Sequence, residues 1–350
     1  MKPFSICMIA KNEEANIERC LASIQHFNCE IIVVDTGSTD RTKDVAQKYG
    51  AKVFDFKWIN DFSAARNFSI SKASYDWILV LDCDEWAEES NPEEFMCLAR
   101  EYPAYVGRLK RKNLTPNDNQ QRIYIDMVER FFNRRYYHYE APIHEQLTPS
   151  TSQTPYAFEI PLTVLHSGYV GTAEELEAKR IRNMTLLEKE LEKHPDDPYL
   201  YFQIGQEYYC LDDYGSAAKY YSKVLTYDLN PDLEYLRLTI QAYGNCLLHL
   251  GKIEEALQFE QIYEVFAKNP DFVFLMGRIY YMSGQPIKAM SEFIKATSMD
   301  NPYAEGTNTF LSWYYMGLIN EQMGNMTAAS EFYKRCGDFE PALKRLSGLT

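Results

Sequence analysis

The stretch WILVLDCDEW, residues 77–86, places five apolar residues directly before a group of acidic side chains. Such an apolar run predicts a buried strand that delivers Asp82, Asp84 and Glu85 to its carboxyl end. Carboxylates this close together repel one another unless a cation lies among them. Asp82 and Asp84 are two residues apart, so in an extended segment their side chains share a face. Because hard carboxylate oxygens suit Mg²⁺ or Mn²⁺, the stretch predicts a metal ion that also binds a diphosphate.

The strand in this stretch is the fourth in an alternating series of strands and helices. Apolar runs predict earlier strands at 4–10, 30–35 and 51–56, and the segments between the strands have helical spacing or helix-capping residues. Four such alternations predict an α/β fold with a mainly parallel, Rossmann-like sheet that is covered on both faces.

Polar and charged residues that could bind a ligand or take part in catalysis lie where three of these strands end, at 11–14, 35–40 and 82–85. Ligands of parallel sheets bind beyond the carboxyl ends of the strands, so three acidic ends on one edge predict a site. Neither GxGxxG nor GxxxxGK[ST] follows the first strand, and the phosphates of a nucleotide would therefore need a cation. An isolated DxD would favour a solvated loop, but the two flanking strand ends favour a site.

Three motifs occur in order, MIAKNEEANIERCLASI, IIVVDTGSTDRT and DFSAARNFSISKASYDWILVLDCDE. Over about residues 3–170 they resemble the family 2 glycosyltransferases, which adopt the GT-A fold. The resemblance implies that a sugar is transferred from a nucleoside-diphosphate donor, usually UDP-linked, with inversion at the anomeric carbon. It implies a GT-A domain over residues 1–170.

Residues at positions that match the family are assigned the family's roles in binding the donor and the metal. The resemblance implies that the nucleotide-sugar donor contacts Ala10, Glu14, Asp35, Arg66 and Asp82. It implies that Mn²⁺ or Mg²⁺ is held by Asp82, Asp84 and His166. Imidazole is an acceptable ligand beside carboxylates, and a core histidine at 166 is the competing interpretation.

The segments APIHEQL and VLHSGY resemble a branch of the same family that carries HE and then H.GY. The resemblance implies that Glu145 deprotonates the acceptor, and the neighbouring His144 could exchange roles with it. An inverting displacement needs one base opposite the leaving group, so one carboxylate suffices. The alternative for Glu145 is an exposed loop carboxylate. Trp86 could stack on a sugar or simply pack.

Residues 171–196 predict a linker helix, because Thr172 and Glu175 have the spacing of a capping box. A solvated basic face is the default interpretation of this helix. The alternative is a helix end that covers the donor diphosphate through Lys179 and Arg182.

Residues 197–350 repeat small residues at a constant spacing. Glycine precedes alanine by twelve positions in four pairs, Gly205 and Ala217, Gly244 and Ala256, Gly277 and Ala289, Gly317 and Ala329. With aromatic residues around the pairs, this pattern predicts an all-α domain of tetratricopeptide repeats. The second repeat is the weakest, with Leu247 and Glu260 at its aromatic positions. Stacked helical pairs bind peptides or another copy; we expect a homodimer through the repeats and keep acceptor binding open.

The composition argues against two classes of binding partner and indicates the cellular compartment. A formal net charge of -14 argues against nucleic-acid binding and against a basic membrane-surface patch. Eight scattered cysteines without a CxxC pair predict reduced thiols in a cytoplasmic protein. The opening MKPFSICMIAKNEE has too short an apolar run for a signal peptide, and no stretch approaches the ~20 apolar residues of a membrane span.

The arrangement is similar to the S-glycosyltransferases that modify cysteines in bacterial glycocins, which also join a GT-A half to helical repeats. This sequence starts directly at the first strand, which departs from them and leaves the acceptor open. We expect a metal-dependent, inverting hexosyltransferase that uses a UDP-sugar and a peptide or protein acceptor, at Cys or Ser/Thr. The alternatives are an enzyme of cell-surface polysaccharide or lipopolysaccharide assembly and a non-catalytic scaffold. The sequence selects neither the sugar nor the linkage.

Overall fold

A computed structural model describes residues 4–115, 122–151, 156–167 and 172–349. The chain separates into two compact units, Met1–Leu186 and Leu187–Thr350. The boundary falls inside a single helix, Ala173–Lys193, at the position of the predicted linker. Gly168 and Tyr169 of the HSGY motif lie outside the described residues, as does the side chain of Glu175 in the predicted capping box.

The first unit combines one large sheet with short helices. Its strands in the described ranges are β1 (Ser5–Ala10), β2 (Glu30–Asp35), β3 (Lys52–Asp55), β4 (Trp77–Val80), β5 (Glu85–Ser90), β6 (Val106–Thr115), β7 (Arg122–Asn133), β8 (Tyr137–Glu140), β9 (Gln146–Pro149) and β10 (Ala157–His166). Its helices there are α1 (Glu14–Ser23), α2 (Thr42–Lys48), α3 (Phe62–Lys72), α4 (Pro92–Glu101) and the first part of α5 (Ala173–Lys193).

The order of strands in the sheet is β3-β2-β1-β4-β7-β6-β10-β5, with β8 and β9 forming a separate hairpin. The first four strands pair in parallel, which confirms the Rossmann-like half predicted from the alternating pattern. Strand β7 is antiparallel to β4 and to β6, and β10 is parallel to β6 but antiparallel to β5. The second half of the sheet is therefore mixed, and the alternating pattern of the sequence did not predict these additional strands.

The register of the strands gathers the predicted site at one edge. Ala10 lies opposite Asp35 at the ends of β1 and β2, as expected for adjacent parallel strands. At the end of β10, His166 lies opposite Glu85 of β5 and Asn113 of β6. A histidine from a distant part of the sequence therefore reaches the segment that follows β4.

The second unit is helical in its described residues. It contains the end of α5 and then α6 (Pro198–Tyr209), α7 (Tyr214–Val224), α8 (Glu234–His249), α9 (Ile253–Leu257), α10 (Tyr263–Phe266), α11 (Pro270–Met282), α12 (Pro286–Thr297), α13 (Phe310–Gln322), α14 (Met326–Arg335) and α15 (Glu340–Leu349). No helix in the described ranges has the length and apolar character needed to cross a bilayer.

The repeat glycines allow the two helices of a repeat to approach each other. A β-carbon on Gly205 would lie 2.6 Å from Tyr221, and one on Gly317 would lie 2.3 Å from Tyr333. These distances are shorter than side-chain contacts allow, so both positions require glycine. The weak second repeat is irregular, because a 3₁₀ segment, Gln258–Ile262, interrupts its second helix. There the atoms nearest to a β-carbon on Gly244 belong to Leu275 and Phe259, and not to Glu260 at the expected aromatic position.

Candidate functional site

Two loops at the carboxyl edge of the sheet, after β1 and after β2, are tied to each other. The Glu14 amide donates to Asp40 Oδ2 at 3.1 Å, and the Arg41 amide donates to Glu14 Oε2 at 3.0 Å. The Thr39 amide donates to Asn12 Oδ1 at 2.8 Å. Glu14, which the resemblance assigns to the donor, therefore uses one oxygen to hold the two loops together.

Asp35 is the last residue of β2, and only one of its two carboxylate oxygens accepts hydrogen bonds from the described residues. Its Oδ1 accepts from the amides of Gly37 at 3.0 Å and Ser38 at 2.9 Å. Its Oδ2 is buried, and no group in the described residues donates to it. The neighbouring Ala10 carbonyl accepts from the Thr36 amide at 2.9 Å. A buried acceptor without a donor is costly, so Oδ2 is suited to an N–H or hydroxyl from a ligand.

Arg66 on α3 joins two of the predicted site residues. Its Nη2 donates to Asp82 Oδ1 at 2.8 Å, and its Nε donates to Glu145. The helix is anchored at its start because Asp61 accepts from the Ala64 amide at 2.8 Å. A buried guanidinium thus connects the DxD segment to the residue proposed as the base, and Nη1 is buried with no acceptor among the described residues.

Asp82 is also held by a second arginine, which no motif in the sequence indicated. Arg130 on β7 donates from Nη2 to Asp82 Oδ2 at 2.9 Å. Burial alone would raise the pKa of Asp82, but the charges of Arg130 and Arg66 outweigh it and hold the pKa well below its usual range. Both oxygens of Asp82 therefore accept hydrogen bonds from guanidinium groups. Their positive charges also reduce the repulsion among the carboxylates of the acidic cluster.

Glu85 lies next to Asp82 and Arg130 and is fully buried. Its Oε2 accepts from the Asp82 amide at 2.9 Å, and its Oε1 lies 3.6 Å from both Arg130 and Arg111. Burial raises the pKa of Glu85 above its ordinary value. The third acid of the opening stretch therefore holds the backbone of the DxD turn and does not face a ligand.

A hydrogen-bonded chain fixes the orientation of His166. Arg111 binds Asp126, whose Oδ1 accepts from Asn113 Nδ2 at 3.2 Å. The amide of Asn113 therefore turns its oxygen to His166, at 2.8 Å from Nδ1. Only an Nδ1–H can satisfy that contact, so in the neutral ring Nε2 carries the lone pair.

The lone-pair nitrogen of His166 faces a carboxylate. Its Nε2 lies 3.5 Å from Asp84 Oδ2, and the two side chains are 13% and 18% exposed. When the ring is neutral, the Nε2 lone pair and the carboxylate can bind one cation together, and a histidine oriented by a hydrogen bond to its other nitrogen is typical of metal sites. The arrangement therefore fits a divalent ion with Asp84 and His166 as its protein ligands.

The three predicted metal ligands do not come together as a set. In the described ranges, no group of three or more acidic, histidine or cysteine side chains is arranged to hold a metal. Asp82 differs from Asp84 and His166 because its carboxylate is paired with Arg66 and Arg130. The geometry favours a two-residue site whose remaining ligands would come from the donor and from water.

His144 and Glu145 occupy different surroundings although they are adjacent. His144 has a backbone φ of +49°, and its Nε2 is buried with no hydrogen-bond partner among the described residues. Burial lowers the pKa of His144, so the ring favours its neutral form. Glu145 is paired with Arg66. The structure gives each residue a feature suited to a base and does not separate them.

The remaining candidates are placed as follows. The guanidinium of Arg182 lies 5.0 Å from the centre of the Phe62 ring. Burial raises the pKa of Glu13, and the hydrogen bond from Asn16 and the charge of Lys179 oppose this increase. Arg19 covers Trp86 at 3.3 Å from the ring centre. One face of this tryptophan is therefore unavailable to a sugar.

Four residues that support the site were not predicted from the sequence, Arg111, Asn113, Asp126 and Arg130, and Glu85 was predicted only as part of the acidic cluster. The available signal was polar residues placed two apart within strands, such as Arg111 and Asn113 in β6. Alternate residues of a strand share a face, so such a pair can project inward together.

The comparisons with known proteins agree with this geometry. Residues 5–154 match the glycosyl transferase family 2 model. The first unit carries a family 2 glycosyltransferase domain. Residues 198–231 and 311–342 match tetratricopeptide repeats, which confirms that the chain contains such repeats.

Individual relatives match this chain over different lengths. A TPR repeat-containing protein of Synechococcus elongatus is 33% identical over 223 residues, covering 59% of this chain and 52% of that protein. The glycosyltransferase SunS of Bacillus subtilis is 29% identical over 219 residues, covering 62% of this chain and 51% of that protein. The chain thus spans about half the length of these relatives. MamA from Desulfovibrio magneticus is 20% identical with a TM-score of 0.40, covering 48% and 89% of the two chains.

Proposed function

We propose that this protein is a metal-dependent, inverting glycosyltransferase that moves a hexose from a UDP-sugar to a peptide or protein acceptor. The observation that carries the proposal is the pairing of Asp84 with His166 at the edge of a family 2 domain. The peptide acceptor is supported by the attached repeats, since stacked helical pairs are peptide-binding surfaces. Acceptor linkage through Cys or Ser/Thr is part of the proposal.

In this proposal the donor lies across the carboxyl ends of β1, β2 and β4. The open oxygen of Asp35 accepts from the base or the ribose. Glu14 and Ala10 shape the same pocket, Glu14 by tying the loops and Ala10 as the last residue of β1. Arg66 stays paired with carboxylates and so orients Asp82 at the donor. Lys179 and Arg182 are proposed to contact the diphosphate of the donor.

Asp84 and His166 would hold Mn²⁺ or Mg²⁺ in the proposed site. When bound, such an ion offsets the negative charge of the leaving diphosphate. Asn113 keeps the proton of His166 on Nδ1, and Asp82 with Arg130 holds the turn that carries Asp84. The protein thus presents the ligands with their orientation already set.

The acceptor proton is transferred to Glu145 or to His144. Glu145 is held in place by its pairing with Arg66. The neutral ring of His144 has a buried nitrogen without a partner. Because one base suffices for inversion, Glu145→Gln and His144→Asn should differ, with a large loss of kcat only for the residue that accepts the proton. If both variants keep the wild-type kcat, neither residue is the base.

The test of the proposal is binding and turnover on the full chain. UDP together with Mn²⁺ should raise the Tm, and a panel of UDP-glucose, UDP-galactose, UDP-N-acetylglucosamine and GDP-mannose should reveal slow hydrolysis of one donor. Asp84→Asn should abolish both effects, whereas Asp44→Asn, an exposed change on α2, should not. Absence of any Tm shift and any hydrolysis in the wild type would reject the enzyme and favour a scaffold.

Location and assembly complete the proposal. The eight cysteines, all within the described residues, form no disulfide bond, as expected for reduced thiols. We therefore include a cytoplasmic location and a homodimer formed through the repeats. Sedimentation of the full chain tests the dimer, and a monomer at all concentrations would remove it.

A further inference from the structure

A cavity of about 370 Å³ in the first unit is lined mainly by tyrosines. Its lining includes Tyr105, Tyr136, Tyr137 and Tyr156, together with Pro149 and Thr151. This volume lies within the range of roughly 300–1,000 Å³ that small-ligand pockets have. The proposed transfer reaction makes no use of this cavity.

The cavity lies at the edge of the sheet opposite the candidate metal pair. Tyr105 and Tyr156 directly precede β6 and β10, two strands that run in parallel. The last residue of β10 is His166, which lies beside Asp84. At about 3.3 Å per residue, the 10 residues of β10 place roughly 30 Å between the two locations. The cavity is therefore independent of the donor site, and each can fail without the other.

Stacked aromatic rings form part of the cavity wall. The Tyr105 ring stacks on those of Tyr102 and Tyr156, with centroids 5.1 and 5.2 Å apart and an interplanar angle of 28° in both pairs. Tyr156 is nevertheless 63% exposed, and Tyr136, which also lines the cavity, is 40% exposed. Aromatic rings contribute most when they are buried, so these rings can gain contact area from a ligand.

Backbone hydrogen bonds hold the tyrosines in place before a ligand binds. The Val106 amide donates to the Tyr156 carbonyl at 2.9 Å, and the Ser150 amide donates to the Tyr136 carbonyl at 2.7 Å. The hydroxyl of the buried Tyr137 donates to a backbone carbonyl at 2.7 Å. A ligand therefore meets rings whose conformational entropy has already been lost, which favours binding.

The lining of the cavity argues against a charged ligand. Within the part of the chain that the structure describes, no acidic or basic side chain lines it. The two arginines just before Tyr136 in the sequence, Arg134 and Arg135, both pair with Asp76, at 3.5 and 2.6 Å. An ion would lose its hydration here without meeting an opposite charge. The tyrosine hydroxyls and the Thr151 hydroxyl can donate to and accept from neutral hydroxyl groups.

We propose that this cavity binds a neutral oligosaccharide. A pyranose ring has C–H groups on its faces and hydroxyl groups around its edge. The faces pack against tyrosine rings, and the edge hydroxyls pair with the hydroxyls of the lining. A purely apolar ligand would leave those lining hydroxyls without partners, which costs free energy. The protein thus carries a carbohydrate site that is separate from the one in which a sugar would be transferred.

Saturation-transfer NMR on the full chain tests the proposal with neutral trisaccharides: maltotriose, cellotriose, mannotriose and triacetylchitotriose. At least one should receive magnetisation from the protein. Tyr136→Ala and Tyr156→Ala should each weaken this transfer, and the double variant should abolish it. Tyr303→Ala is the matched control, a 43% exposed tyrosine in the second unit, and should keep the wild-type transfer. The proposal is overturned if no trisaccharide shows transfer, or if transfer survives in the double variant.

Two further measurements identify the cause of a lost signal. The double variant should unfold near the wild-type Tm and keep the Tm shift produced by UDP with Mn²⁺, because both rings are exposed and lie far from the donor site. Asp84→Asn should keep the trisaccharide transfer. Loss of transfer in Asp84→Asn would place the sugar in the transfer site and overturn the proposal. Trisaccharide transfer without any UDP-dependent Tm shift would reject the proposed function alone.

Discussion

His166 Nε2 lies 3.5 Å from Asp84 Oδ2, although the two residues end and follow different strands of the sheet. Asn113 and Asp126 determine which ring nitrogen faces the carboxylate. The predicted metal role of His166 thus depends on residues that contribute no ligand themselves. This relationship leads to the first prediction.

Asn113→Ala should weaken Mn²⁺ binding in the presence of UDP by about 10- to 100-fold, because the ring of His166 loses the acceptor that holds its proton on Nδ1. Titration calorimetry measures the affinity. Asn91→Ala, at the start of α4, is the matched control and should leave it unchanged. Wild-type affinity in Asn113→Ala would contradict the orienting role.

Arg130→Met should destabilise the protein by about 3 kcal/mol or more, because Asp82 loses a partner and Glu85 loses one of its two nearby cations. Urea unfolding followed by circular dichroism measures the change. Arg135→Met removes only a surface pair with Asp76 and should cost less than about 1 kcal/mol. Similar losses in both variants would contradict the importance assigned to the buried network.

Glu30 predicts a pH dependence of stability at the opposite edge of the sheet. Burial would raise its pKa, but Lys52, Ser5 and Ser74 outweigh burial and lower the pKa from 4.5 to about 2. Because the folded-state pKa is the lower one, the stabilisation is complete above pH 4.5 and is lost as the pH falls towards 2.

The check on Glu30 compares wild type and Glu30→Gln by urea unfolding at neutral and acidic pH. The wild type should be more stable at neutral pH by a margin on the order of 3 kcal/mol, and the margin should shrink in acid. A margin independent of pH would show that the charge of Glu30 contributes nothing.

Gly317→Ala should destabilise the repeats by about 1–3 kcal/mol, because the new methyl group would lie 2.3 Å from the Tyr333 ring. Thermal unfolding measures the loss. Gly215→Ala is the control, since a β-carbon there meets only Asp213 at 3.6 Å. That change should be neutral or stabilising, and equal effects at both positions would refute the close-packing explanation.

The sequence by itself determined the parallel half of the sheet, the glycosyltransferase domain and the repeats. Each depends on a local signal, such as the apolar run before Asp82 or the spacing from Gly205 to Ala217. Local periodicity records which face of an element is buried, and the ends of parallel strands share one edge, so the general location of the site could also be predicted.

Only the tertiary structure decided how the acidic cluster is neutralised. Arg130 and Arg111 lie on β7 and β6, two strands that no local pattern connected to the DxD segment. The structure also places His166 beside Asp84, while Asp82 is paired with Arg66 and Arg130. Long-range strand register determines which charges meet, and register is set by the packing of the whole sheet rather than by neighbours in the chain.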